Sequence, residues 1–219
     1  TRMIGGLVMT HSDDHGLVAP PRLAPVQVVI VPIWKSDEEK AQVLGVGAQV
    51  KAELDQAGVR VELDSRDSLK PGAKYFAWEA KGVPLRLEIG PRDVAAGQVM
   101  TARRTGGKAP APLAGIGATV VAALAEIQAA LFEAAKARRE AHTIRGVTKP
   151  QFLEFMKGGG GFAYGGFCGA ATCEAEIKTE TGATVRVLPD PEFRSPEAPK
   201  RCMWCGQPSV AEAVWAQAY

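Results

Sequence analysis

Val26-Gln-Val-Val-Ile-Val-Pro-Ile33 is followed, after Trp34 and Lys35, by Ser36-Asp-Glu-Glu39. The first stretch is almost continuously apolar, as expected of a strand covered on both faces. In the second, the Ser36 hydroxyl can accept from the amide three residues on while Glu39 reaches back. This is a capping box opening a helix that carries Val43, Val50 and Leu54 on one face and ends at Gly58. A doubly buried strand leading into an amphipathic helix predicts an α/β fold.

Outward from there the alternation continues. Residues 59–63 alternate as a half-buried strand, residues 71–81 read as a short helix, and residues 83–89 and 98–104 read as strands joined through Gly90-Pro-Arg-Asp93. A long helix from about residue 119 to 141 stacks Val120, Leu124, Ile127 and Leu131 on one face. These elements predict an α/β domain with a mixed sheet over residues 26–145. Ahead of it, residues 1–25 hold a short apolar strand candidate at 3–9, a polar turn from His11 to Gly16 and a proline-rich stretch. That segment is too short to bury its own apolar side chains and reads as the end of a larger domain. Behind it, seven glycines between residues 158 and 169 predict no regular element. A short helix candidate, a strand at 184–188 and a Pro/Glu loop at 189–199 complete a small α+β domain over residues 146–219.

The composition is that of a folded chain: 219 residues, 46% hydrophobic, 26 Lys+Arg against 24 Asp+Glu. A net charge of +2 neither demands nor excludes a polyanionic partner, since a local basic face can bind RNA while the total stays balanced. The continuous apolar runs fall short of the roughly 20 residues that span a bilayer, so no transmembrane helix and no membrane role are expected. Thr1-Arg-Met-Ile-Gly-Gly-Leu-Val-Met-Thr10 lacks the features of a secretory signal, so a cytoplasmic location is expected.

Four cysteines fall in the last quarter of the chain as two pairs, Cys168/Cys173 and Cys202/Cys205. Thiolates delivered in two knuckles suit a tetrahedral zinc site, and four protein ligands leave no position for a catalytic water, so the zinc is structural. Four reduced cysteines without metal, or two disulfides, are the alternatives. Arg22, stiffened by the prolines around it, can hold a phosphate bidentately, although a surface arginine in a linker explains the same residues. From Lys74 to Asp93 aromatics are interleaved with Lys, Arg and Glu, a mixture that suits single-stranded RNA, whose bases stack on rings while charged groups read their edges. Phe76 and Trp78 as core residues, and Glu88 with Arg86 as a cross-strand ion pair, are the competing reading. Arg103, Arg104 and Lys108 lie on the next hairpin and can extend the same basic face.

Taken in order, these motifs resemble class II prolyl-tRNA synthetases of the archaeal and eukaryotic-like branch. Thr1 to Pro25, with Gly-Leu-Val-Ala-Pro-Pro-Arg22 at its heart, resembles their third signature motif. Residues 26–33 through Gly82-Val-Pro-Leu-Arg-Leu-Glu-Ile-Gly-Pro-Arg-Asp93 resemble their anticodon-binding domain. The cysteine pairs, Thr181-Gly-Ala-Thr-Val-Arg-Val187 and Tyr219 resemble their zinc-binding C-terminal extension. The resemblance implies that Arg22 clasps the ATP phosphates. It also implies that Trp78, Glu79, Arg86, Glu88, Arg92 and Lys108 lie where the proline anticodon is met, and that Tyr219 packs toward the catalytic domain. Motifs one and two and the proline pocket do not precede the third motif here. The expected role is therefore the C-terminal portion of a proline tRNA ligase, with ATP, Mg²⁺ and proline handled by the full-length enzyme and a homodimer formed through its catalytic domain. One arginine cannot supply the preorganisation that activation needs, so this chain alone is not expected to aminoacylate. A free-standing RNA-binding module derived from such an enzyme is the alternative.

Overall fold

A computed structural model describes residues 1–197 and 199–217. The chain forms two compact units, residues 1–134 and 135–219. The first contains α1 (Arg2–Thr10), the hairpin β1 (Ser12–Asp13) and β2 (Gly16–Leu17), β3 (Val28–Pro32), α2 (Asp37–Gln56), β4 (Val61–Leu63) and α3 (Pro71–Ala80). It continues with β5 (Leu85–Ile89), α4 (Pro91–Ala95), β6 (Gln98–Arg103), β7 (Lys108–Pro112) and most of α5 (Ile116–Ala141). Five strands in the order β4-β3-β5-β6-β7 make a mixed sheet, parallel across β4, β3 and β5 and antiparallel from β5 to β7.

The predicted elements of this domain form. Ser36 caps α2 by accepting from the Glu39 amide, although Glu39 returns to the Lys35 amide rather than to that of Ser36. Val28, Ile30, Leu85, Leu87 and Ile89 pack on one side of the sheet with Val43, Val50 and Leu54 of α2 and Val120, Leu124 and Ile127 of α5. The opposite side has a smaller core of Val29, Val31 and Val83 under Tyr75 and Trp78 of α3. Two helices thus cover one face and a single short helix covers part of the other.

Three expectations need correction. Residues 3–9 form a helix instead of a strand: Met3, Ile4, Leu7 and Val8 share one helical face, and α1 meets its backbone hydrogen bonds internally with no residue buried. The strands of this segment are the two-residue pair β1 and β2. Helix α5 is long and apolar enough, by length and composition alone, to cross a membrane, because alanines keep it apolar between its charged positions. Its Ile116, Val120, Leu124 and Ile127 nevertheless pack on the sheet.

The third correction is the glycine-rich run. The second unit contains β8 (Thr143–Arg145), α6 (Lys149–Lys157), β9 (Phe162–Phe167), α7 (Ala171–Thr181), β10 (Ala183–Val187) and β11 (Ala211–Gln217), in a sheet of order β10-β11-β9-β8. Strand β9, an interior strand of that sheet, is built from the residues expected to be irregular. A Cβ on Gly166 would lie 2.1 Å from the Arg201 carbonyl oxygen, and one on Gly165 would lie 2.4 Å from the Met203 sulfur. The loop carrying Cys202 and Cys205 crosses directly over this strand, and only glycine admits so close a backbone approach. Trp215 of β11 packs edge-on against Phe167 and Phe152, and this aromatic cluster continues to Cys173, Cys202 and Trp204. Tyr219 lies outside the described residues.

Gly166→Ala is expected to destabilise the second unit by more than about 2 kcal/mol, the scale of overpacking against an atom that cannot yield. Gly45→Ala, on α2 with open space around it, is expected to be neutral or stabilising by up to about 1 kcal/mol. Denaturant unfolding followed by tryptophan fluorescence measures both.

Candidate functional site

The side of the sheet that α3 leaves open carries a charged network. Alternation places Arg86 and Glu88 of β5 on that side, with Met100 and Ala102 of β6 and Lys108 of β7 in register beside them. The Glu88 carboxylate is almost wholly buried and accepts from both basic neighbours, Arg86 Nε at 3.1 Å and Lys108 Nζ at 2.6 Å. The Arg86 guanidinium lies 4.0 Å over the Tyr75 ring. Burial, followed by the nearby Glu88 charge, pushes the Tyr75 hydroxyl up, so it remains a neutral donor. Arg86 and Glu88 are therefore an ion pair within one strand that also gathers Lys108.

Beside this network lies a pocket of about 140 Å³ walled by Trp78, Glu79, Arg86, Ala102, Arg103 and Arg104 among others. Trp78 and Glu79 reach it from the last turn of α3. The Trp78 ring has Lys81 at 4.3 Å and Arg66 at 6.0 Å, and its indole N–H donates to Asp64 at 2.7 Å. Trp78 is thus a fixed wall, whereas Phe76 on the same helix is 73% exposed. Arg92 is exposed on the first turn of α4, outside the Glu88 network. On the next hairpin, Arg103 pairs with Glu126 and Arg104 with Asp13, while Lys108 pairs with Glu88 and so joins Arg86.

Sequence reasoning missed what fixes Trp78. Asp64, immediately after β4, accepts from the Arg66 guanidinium at 2.6 and 2.8 Å and from Trp78, and its own carbonyl accepts from Lys74 Nζ at 2.9 Å. Both Asp64 and Lys74 are buried, and Lys74 lies over the Trp34 ring. The Arg66 hydrogen bonds, helped by Trp78 and opposed by burial, hold the Asp64 carboxyl down at about 2. Burial lowers the Lys74 ammonium. Lys74 is the one basic residue within α3, and its lysine neighbours in sequence, Lys70 and Lys81, are exposed, so the sequence carries no sign that it is buried.

Arg22 is exposed and belongs to a different place. Its amide donates to the Gln128 side chain at 3.1 Å, and it lines a groove of about 620 Å³ with Gln27, Gly58, Leu124, Gln128 and Phe132. The structure does not bring Arg22 together with the Arg86 network.

In the second unit the four cysteine sulfurs all lie within 4.8 Å of one another. Cys168 and Cys173 are 3.6 Å apart and Cys168 and Cys205 are 3.8 Å apart, too far for a disulfide bond. Four thiolates about 2.3 Å from one zinc at tetrahedral angles would stand about 3.8 Å apart, so the donor set fits that ion. Burial pushes the Cys202 thiol up, but the amides of Cys205, Trp204 and Cys168 aimed at its sulfur outweigh this and bring it to about 7. Burial and the neighbouring thiols push Cys173 up. Glu176, accepting from the Trp204 indole at 2.7 Å, ties the cysteine loop to α7.

Asp64→Asn removes the charge opposite Arg66 and the buried Lys74, and is expected to destabilise the first unit by about 3 kcal/mol in urea at pH 7. In the parent chain the folded carboxyl titrates below its ordinary 3.8. The stabilisation is therefore complete above about pH 4 and lost as pH falls through about 2. An acid titration of the Asn variant should lack that component.

Comparison with known proteins agrees with this division. Residues 27–115 match the model of an anticodon binding domain, and residues 150–219 match that of "Prolyl-tRNA synthetase, C-terminal". Over its whole length the chain is 43% identical to the proline–tRNA ligase of Chloroflexus aurantiacus and 42% identical to the chloroplastic/mitochondrial proline–tRNA ligase of Arabidopsis thaliana. It is 40% identical to the proline–tRNA ligase of Cenarchaeum symbiosum, so its relatives include enzymes of the archaeal type. It spans 45%, 41% and 45% of those three relatives, less than half of each. The chain thus carries, in order, the anticodon-binding domain and the C-terminal domain of the prolyl-tRNA synthetase family.

Proposed function

We propose that this chain recognises the anticodon of proline tRNA for a proline–tRNA ligase, through the sheet face that α3 leaves open. The observation that carries the reading is Glu88. Buried in the domain that matches an anticodon-binding model, it holds half-buried Arg86 and exposed Lys108 together at the edge of that face. Arg86 has four further N–H donors and Lys108 two, enough to read base edges and to meet phosphates. Glu79 and Trp78 wall the adjoining pocket, Arg92 extends the positive charge along the end of β5, and exposed Phe76 offers a ring on which a base can stack.

The four cysteines hold one structural zinc, which needs thiolates and therefore a reducing, cytoplasmic setting. When bound, the ion closes the loop carrying Cys202 onto α7 and adds folding energy to a unit with a small core. Proline activation with ATP and Mg²⁺, and dimer formation, belong to the catalytic domain of the whole ligase. Arg22 contributes a phosphate contact there, and this chain by itself does not aminoacylate.

A stem-loop RNA with the proline anticodon should bind this chain more tightly than one with an altered anticodon. Arg86→Ala should cost about 10- to 100-fold in affinity and blunt that preference, while Lys108→Ala should weaken both RNAs alike and reduce the salt slope by about one. Equal binding of the two RNAs by the parent chain would reject the reading. Metal analysis should find one zinc per chain; Cys202→Ser should lose it and expose Trp204 and Trp215 while the first unit stays folded.

A further inference from the structure

Arg104 was expected to add to the basic face, yet its side chain is only 3% exposed. Its guanidinium donates to both carboxylate oxygens of Asp13, at 2.5 and 2.8 Å, and to the carbonyls of Leu17 and Glu79, both at 3.1 Å, and of Gly16 at 3.2 Å. One planar fork thus joins the β1–β2 hairpin to the last turn of α3 while forming a wall of the pocket shared with Trp78, Glu79 and Arg86.

The seam continues beyond Arg104. The Ala19 amide donates to the Gly82 carbonyl at 3.0 Å. A Cβ on Gly82, which has φ of +73°, would lie 2.6 Å from the Leu17 carbonyl oxygen. From Ala19, two prolines lead directly to Arg22 with φ fixed at each step. The Arg60 guanidinium holds the Pro21 and Ala24 carbonyls, both at 2.9 Å. A series of guanidinium-to-carbonyl and backbone hydrogen bonds therefore runs from the pocket wall to the backbone of Arg22.

We infer that Arg104 is a positioning residue that makes the order of segment 13–22 depend on occupation of the Glu79–Arg86 pocket. RNA resting on Arg86 and the end of α3 restricts Glu79 and Arg104, and the hairpin they hold loses its local openings with them. The inference rests on the anticodon reading above. In the whole ligase it means that the stretch bearing Arg22 is set by what the sheet face has bound.

The test is amide hydrogen exchange on the zinc-loaded chain, with and without the stem-loop RNA carrying the proline anticodon. Bound RNA is expected to slow exchange at Gly82 and Val83 and, through Arg104, by about tenfold at Val18 and Ala19. Asp13→Asn, which removes the surface half of the clamp, should keep RNA affinity within about threefold and the slowing at Gly82 and Val83, yet lose most of that at Val18 and Ala19. Arg104→Lys, which replaces the fork by a single ammonium, should likewise lose most of the slowing at Val18 and Ala19 when compared at RNA concentrations that saturate it. Slowing confined to Gly82 and Val83 in the parent chain, or undiminished at Val18 and Ala19 in both variants, would overturn the inference. Failure of the RNA to bind at all would overturn the anticodon reading instead.

Discussion

Val28, Val29, Ile30 and Val31 are each wholly out of water, and much of the first unit follows from having to cover both faces of this one strand. On one face α2 and α5 supply a broad apolar layer. On the other, α3 packs on β3 and its Tyr75 lies against Arg86 of β5. Alternation along β5 therefore brings Leu85, Leu87 and Ile89 under the helices and leaves Arg86 and Glu88 on the side where cover runs out. The charged face results from an asymmetry in how many helices the chain provides.

The second unit meets a different constraint. Its core is a short list of aromatic and small side chains, with Phe152, Phe167 and Trp215 meeting edge to face and Ala163 and Ala213 filling the gaps. Such a core is small for the loops it must order. The cysteine loop is held from several sides: over Gly165 and Gly166 of β9, to Glu176 through Trp204, and through the sulfur cluster with Cys168 and Cys173. The four sulfurs lie close enough together to hold one metal ion, which would tie that loop to α7 through Cys173.

Legibility followed how local the cause was. The Val26–Ile33 run, the Ser36 cap and the four cysteines each carry their reason within a few residues, and each was readable. Strand β9 was not, since its glycines are explained by a loop some forty residues further on that crosses them. Helix α1 was misread because strand and helix differ there only in which neighbours are present to take the backbone hydrogen bonds. Among the site residues, the types were visible and most of the partnerships were not. The Arg86–Glu88 pair was open to reading, but not that Glu88 is buried and also takes Lys108, and Arg104 reads as part of a basic face until the fold turns it inward onto Asp13. The family resemblance supplied the role of the domain, which spacing alone left open.

The same partnerships bear on how a chain with a net charge of +2 can hold a polyanion. A loose basic patch would attract RNA from any direction and pay rotamer entropy for every lysine and arginine it fixed on binding. Here that ordering is done in the folded protein. Glu88 draws one donor each from Arg86 and Lys108, and Tyr75 supports the guanidinium plane, so both cations are tethered before any RNA arrives. The buried carboxylate cancels part of the charge, so the long-range pull is modest. What remains is direction, and direction is what distinguishes one base edge from another, whereas attraction to phosphate does not. A near-neutral total is therefore consistent with sequence-selective RNA recognition, because selectivity rests on how few cations are free to move.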